Sequence, residues 1–272
     1  RPPAHFFFTE HHAIPDAQES RGLGDVYKRQ YQYLEGNKDE EFNISEMNKY
    51  LKTKQEIDKI LEKIISPVIK EKKLKILDAC CGIGHITNLL KNISHESDFI
   101  GIDQSDYLIK KAQELFKNTK NTSFEVADIY DIKEKYQKEF DISICWKTIS
   151  WLPYYDQILK DLIHMTKDHI FLSSLFYEGD IDFEIKVREF KKESGSEGFN
   201  SYYNVYSLPQ FKKFVYSLGA KDIEVFDFDI DIDIPQPPID QMGTYTVKLE
   251  NSKKLQISGA VVMNWKIIRI DL

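Results

Sequence analysis

Two glycines and three aspartates stand where chemistry could be built. Asp78 is followed by Ala-Cys80-Cys and then by Gly82-Ile-Gly84, with His85 next, Asp103 follows Gly84 by 19 residues, and Asp128 closes a third apolar run. Gly82 and Gly84 allow a backbone to approach a ligand closely. A helix opening directly after them offers unpaired N–H groups and the positive end of its dipole, which suits a ligand carboxylate. Asp103, at the end of the next apolar run, is placed to accept hydrogen bonds from two ribose hydroxyls.

The elements that must position these groups follow from periodicity. Apolar runs at 74–79, 99–102, 123–127, 140–145 and 170–175 alternate with helical patterns at 83–93, 107–116 and 155–165. That alternation predicts βαβ units, a parallel sheet covered on both faces, and right-handed connections. The aspartates and glycines then fall at the carboxyl ends of successive strands, where open α/β sheets hold ligands. A Ser207-Leu-Pro-Gln start predicts a further helix closed by Gly219. Strands are expected at 223–234, 244–249 and 255–270, with a break near Gly259 and a hairpin turn at 250–253. Residues 31–70 read as N-terminal helices, opening at Asn43, and 71–176 as the ligand-binding core. Residues 177–206 read as an aperiodic recognition insertion, and 207–272 as the helix and strands that close the same domain. Residues 1–30 differ in composition and contain the run RGLGDVYKRQ, which reads as translated adapter sequence; they are expected to be a non-native or disordered leader.

With this motif the chain resembles the class I S-adenosylmethionine-dependent methyltransferases, whose first motif is an acid, a short apolar or small stretch, and Gly-x-Gly. The resemblance covers about 76–175. It implies an α/β, doubly wound, mostly parallel seven-stranded Rossmann-like sheet with an antiparallel final strand, to which a C-terminal hairpin is added. It implies S-adenosyl-L-methionine as cofactor and S-adenosyl-L-homocysteine as product. By position, Asp78, Cys80, Gly82 and Gly84 would surround the methionine part, Asp103 with Gln104 the ribose, and Asp128 with Ile129 the adenine. Cys145 and Trp146 would face the methionine and the reacting centre. A dinucleotide oxidoreductase is the rival; its third glycine should stand where Thr87 is, and it has no need of Asp78 or Asp128.

Transfer from a sulfonium needs a nucleophile held in line, about 3 Å from the methyl carbon, and no metal. A hydroxyl or ammonium acceptor also needs a base. The candidates are His85 beside the glycine turn, and Tyr177, Glu178 and Asp180 after the fifth strand. Trp151, Tyr177, Asp182, Tyr202, Tyr203 and Tyr206 are the candidate acceptor-binding residues, with Gln241, Met242 and Tyr245 able to approach from the closing segment. Trp146, Trp151, Tyr154 and Tyr155 read either as an aromatic wall beside the methyl or as packing of the next helix. Asp227, Asp229, Asp231 and Asp233 alternate with apolar residues, as in a strand with one solvated acidic face.

A net charge of −7 lacks the basic excess of a phosphate-backbone binder, so a nucleic-acid substrate is disfavoured and a small-molecule acceptor preferred. Lys, Glu or Asp breaks every apolar run short of the ~18 residues a membrane helix requires, and a soluble, cytoplasmic protein is expected. The three cysteines lack zinc-site spacing and read as reduced thiols. Methylation of RNA or protein, and cofactor binding without catalysis, are the other functions considered.

Overall fold

The computed structural model describes residues 51, 54–130, 132, 135–190, 197–238 and 243–272. The leader at 1–30, the helix start at Asn43, and Gln241 with Met242 lie outside the described residues. Helix α1 (Glu56–Ile69) buries Ile57, Leu61, Ile65 and Ile69, a spacing of four that makes one apolar stripe. It is followed by β1 (Lys75–Ala79), α2 (His85–Lys91) and β2 (Asp98–Asp103). Helix α3 (Asp106–Phe116) starts at Ser105, whose hydroxyl accepts the Leu108 N–H at 3.3 Å. Strands β3 (Thr122–Val126) and β4 (Phe140–Cys145) precede a single 3-10 turn (Ile149–Trp151), α4 (Asp156–Met165) and β5 (Thr166–Tyr177).

The remainder is β6 (Lys186–Phe190), β7 (Glu197–Tyr202), β8 (Tyr206–Ser207), α5 (Leu208–Ser217), β9 (Asp222–Asp227), β10 (Thr244–Lys248), β11 (Lys254–Ser258), β12 (Val261–Val262) and β13 (Trp265–Asp271). The main sheet runs β3-β2-β1-β4-β5-β13-β9, a path of seven strands, with the two-residue β8 pairing beside β5. The first five strands are mutually parallel, and β13 is antiparallel to both β5 and β9. Strand order reverses between β1 and β4, the topological switch point where a crevice opens beyond the carboxyl ends.

Alternation along the strands divides the core in two. Leu77 and Ile102 face a layer holding α4 and α5, through Leu159, Leu162, Phe211 and Val215. Ile76, Phe99 and Ile142 face the other layer, with Leu61 and Ile65 of α1 and Leu89 and Leu90 of α2. Each fully buried Leu, Ile or Phe contributes about 1.5–3 kcal/mol, which fixes the strand register and hence the loops at the sheet edge. Among the described residues no helix is long and apolar enough to cross a membrane.

Two expectations need correction. Residues 177–206 are not aperiodic: β6 and β7 pair antiparallel, and Phe183 bridges Val205. The strand expected at 223–234 ends at Asp227. Beyond it Asp231 and Asp233 face the largely buried Lys254, at 3.8 and 3.1 Å, so these acids anchor a segment against the hairpin and do not line a strand face. The hairpin itself forms, but β10, β11 and β12 make a small separate sheet.

Candidate functional site

The turn from β1 to α2 is built on left-handed backbone at Cys80 (φ 58°), Gly82 (φ 55°) and Gly84 (φ 85°). A Cβ on Gly82 would meet no atom within 4 Å, so the chain there borders open space. A Cβ on Gly84 would lie 2.8 Å from the Phe124 ring and 2.9 Å from that of Phe116, so this glycine lets α2 close on β3 and α3.

Asp103 ties the turn to β2. Its Oδ2 accepts the Gly82 N–H at 2.9 Å and its Oδ1 the Ser105 N–H at 3.0 Å. Burial raises its carboxyl above the ordinary range, and the backbone donors of Ser105, Gly82 and Gln104 only partly offset this. Asp78 lies beneath the first turn of α2, where its Oδ2 accepts the Thr87 N–H (2.9 Å) and hydroxyl (2.7 Å). Burial pushes the Asp78 carboxyl up to about 6 against the two Thr87 bonds. Asp78 thus underpins the turn, using one of the amides expected to be open to a ligand. Asp128 accepts the Tyr130 N–H at 3.0 Å, closing a tight turn after β3.

Beyond these strand ends lies a narrow cleft, open to solvent. Five of the residues assigned to the cofactor line it: Cys80, Asp103, Gln104, Asp128 and Ile129. Ile102, Ala127, Tyr130, Thr148 and Leu152 complete the wall and were not anticipated. Tyr130 could have been found, since it follows the Asp128-Ile129 pair directly. Cys80 also meets Cys145 across the paired β1 and β4. That hydrogen bond and burial raise the Cys80 thiol well above its usual range, as burial does for Cys81.

The remaining candidates are placed differently. Trp146 is 7% exposed and directs its indole N–H to Asp58 Oδ1 of α1 at 2.9 Å, because a buried indole requires an acceptor. His85 Nε2 lies 2.7 Å from the other Asp58 oxygen, so the ring is turned to α1 and away from a proton-accepting role in the cleft. Tyr206 is a core residue: its hydroxyl donates to the carbonyls of Ile149 (3.0 Å) and Leu152 (2.9 Å), and its ring packs edge-on against Tyr155. Tyr203 is buried against Trp151, their ring centres 4.3 Å apart. Tyr155 packs on Phe211, so most of the supposed aromatic wall is packing, with Tyr154 left exposed.

After β5, Glu178 pairs with Lys266 (2.5 Å), which also holds Asp227 (2.6 Å). Asp180 accepts from Gln210 Nε2 at 3.0 Å, and Asp182 accepts the Ser207 N–H. Tyr177 stays exposed against Phe183, and Tyr202 is half-buried. Asn204, unremarked in the sequence, donates to the carbonyls of Leu152 and Pro153 and accepts from the Ile185 N–H, locking the insertion to the loop after β4. Among the described residues no three His, Cys, Asp or Glu side chains group as metal ligands.

With this geometry in place, comparison with known proteins is informative. Residues 70–210 match a family model described as a methyltransferase domain. The chain is similar to malonyl-acyl-carrier protein O-methyltransferase of Bacillus cereus, with 31% identity over 104 residues, covering 38% of each chain. It therefore spans about two fifths of that relative's length. Among solved structures it is similar to the YcgJ protein of Bacillus subtilis, with a TM-score of 0.52, 12% identity, and coverage of 78% of this chain and 97% of that one. The N-terminal domain of EvdMO1, solved with S-adenosylhomocysteine bound, aligns with a TM-score of 0.51 at 14% identity, covering 80% and 81%. At such identities the likeness concerns the fold.

Proposed function

Because this chain belongs to the class I S-adenosylmethionine-dependent methyltransferases, we propose that it moves the cofactor's methyl to an oxygen or nitrogen of a small-molecule acceptor by in-line displacement. One observation carries the reading of the cleft. Asp103, buried and aimed by two backbone amides, stands at the carboxyl end of β2, next to the switch-point strand β1, beside a glycine with no atom within 4 Å of its Cβ position. The residues present fit the cofactor: a carboxylate acceptor for ribose hydroxyls, the apolar Ile102, Ala127 and Ile129 for a flat base, and open backbone at Gly82 for the methionine end.

When bound, the cofactor supplies a methyl on a sulfonium that already carries its leaving group. What the chain must do is orient and shield. Asp103 would hold the ribose, Asp128 and Ile129 would bound the adenine, and Tyr130, Thr148 and Leu152, which complete the cleft wall, would exclude water. Tyr177, Glu178, Asp180, Asp182 and Tyr202 choose the acceptor from the end of β5. A cytoplasmic setting, with the three thiols reduced, accompanies this reading.

A second reading is favoured by the Bacillus relative, whose name gives an O-methylated malonyl group on a carrier protein. A carboxylate acceptor is already deprotonated and needs no base, which accords with His85 being occupied by Asp58. S-Adenosylhomocysteine should bind in the micromolar range and raise the melting temperature; ligand at 100 times its Kd stabilises by about 2.7 kcal/mol. Product formation measured across hydroxyl, amine and free or carrier-linked carboxylate acceptors then decides the class. No thermal shift at millimolar ligand would remove the basis of both readings.

A further inference from the structure

One carboxylate outside the sheet holds both loops that bound the crevice. Asp58, on α1, is fully buried. Its Oδ1 accepts the Trp146 indole N–H at 2.9 Å, and its Oδ2 accepts His85 Nε2 at 2.7 Å and the Gln55 backbone N–H at 3.1 Å. An ionised carboxylate only accepts, so His85 donates through Nε2. Burial works to raise this carboxyl, but the bond and charge of His85, the Lys147 charge and the Trp146 bond outweigh it, and Asp58 stays below its usual range. Lys147 adds a fourth tie, its ammonium donating to Gln55 Oε1 of the same helical turn.

The placement of the partners gives the cluster its meaning. His85 is the residue after Gly84, and Trp146 the residue after Cys145, which is the register partner of Ala79. These two residues therefore stand just beyond the ends of β1 and β4, the strands on either side of the switch point, and both turn their side chains to α1. Docking of α1 does not need an ion there, because Ile57, Leu61, Ile65 and Ile69 already supply an apolar face, and burying a charge costs several kcal/mol unless its partners are well placed. Lys147 also holds left-handed backbone (φ 53°), a conformation that persists in a non-glycine residue only where neighbours fix it. Its N–H donates to Ser173 Oγ and its amine reaches α1.

We propose that Asp58 is a positioning residue of the cofactor site, acting through His85 and Trp146 to hold the glycine turn and the segment after β4 at the separation that admits the ligand's methionine end. The inference rests on the reading of the cleft given above. It is tested with S-adenosylhomocysteine as the probe, by calorimetry and tryptophan emission on the full chain. Asp58→Asn keeps an acceptor for Trp146 but loses the charge facing His85. It should raise Kd by about tenfold and abolish the ligand-induced change in emission that Trp146→Phe assigns to Trp146. His85→Leu and Trp146→Phe each cut one bond from outside α1 and should weaken binding about threefold or more, which keeps the test open if Asp58→Asn does not fold. If the variants melt earlier yet bind with unchanged Kd, and the emission response survives in Asp58→Asn, Asp58 only fastens a helix and the inference is overturned. Failure of the parent chain to bind would overturn the cleft reading and this inference together.

Discussion

Replacing Asp103 by alanine separates the two tasks its carboxylate performs. The side chain accepts two buried backbone N–H groups, from Gly82 at 2.9 Å and Ser105 at 3.0 Å, and its remaining lone pairs border the cleft. Each hydrogen bond to a charged group contributes about 1.5–3 kcal/mol, so the unliganded protein loses stability as the turn after β1 comes loose from β2. Part of that loss is returned, because the substitution also removes a carboxylate that burial disfavours. Nothing returns the ligand's share. Losing the ribose hydrogen bonds should cost about 1–3 kcal/mol of S-adenosylhomocysteine affinity, a rise in Kd of about five- to 150-fold, measured by calorimetry near neutral pH. Asp103→Asn retains one acceptor oxygen and presents N–H₂ on the other side, and should fall between parent and alanine variant. If both variants melt earlier but bind within twofold of the parent, Asp103 serves the turn alone, and the ribose must be held by another group.

Asp78→Asn tests a sign. The folded carboxyl sits at about 6 against 3.8 for the ordinary residue, so folding disfavours its charge. Between these values the folded chain takes up a proton that the unfolded chain does not, and the Asp78 contribution to stability grows as pH falls from 6 to 4 and is lost as pH rises, by about 3 kcal/mol in all. Chemical denaturation of parent and variant should diverge over this window, with Asp78→Asn gaining relative stability at higher pH; parallel profiles would show that Asp78 does not titrate there. Gly82→Ala should cost about 1 kcal/mol of stability for its positive φ, yet lower cofactor affinity by more than that, since its methyl enters open space beside the turn. Gly84→Ala should destabilise by about 1–3 kcal/mol through its clash with Phe124 and Phe116, and a variant as stable as the parent would contradict that packing. Glu178→Gln and Asp180→Asn should change acceptor KM while leaving S-adenosylhomocysteine affinity within a few-fold; loss of cofactor binding instead would move the insertion into the cofactor site.

What could be read from the sequence was what local pattern encodes. Apolar period located β1 to β4 within a residue or two, and Gly82, Gly84 and Asp103 announced the turn because backbone freedom and a strand-end acid leave a local signature. Asp58 left none. Its partners lie 27 and 88 residues away, and on its own helix it reads as an ordinary first-turn acid. The hairpin of β6 and β7 was missed because Lys, Arg and Glu interrupt the alternation that a half-buried strand shows. Asp227 to Asp233 did alternate, yet the strand stops at Asp227, because β13 pairs with Asp222 to Asp227 and begins only one residue before that register ends. Tyr206 was credited to the acceptor because a tyrosine's sequence position does not say whether its hydroxyl meets a ligand or, as here, two loop carbonyls.

The position of β13 sets an order of assembly. This strand, at 265–271, lies between β5 and β9 and pairs with both along nearly its whole length. During synthesis the five parallel strands and their helices can emerge and collapse, but β5 then presents an open edge and β9 has no neighbour until the last of these residues leaves the ribosome. An open edge of residues that the finished sheet buries, such as Ile170 to Phe176, is a template for pairing with another chain. Nascent chains stalled or truncated before Trp265 should therefore engage chaperones or aggregate more than chains that include β13. The same late closure makes β13 a long-range contact that enters folding at the end, slowing it without weakening the finished sheet.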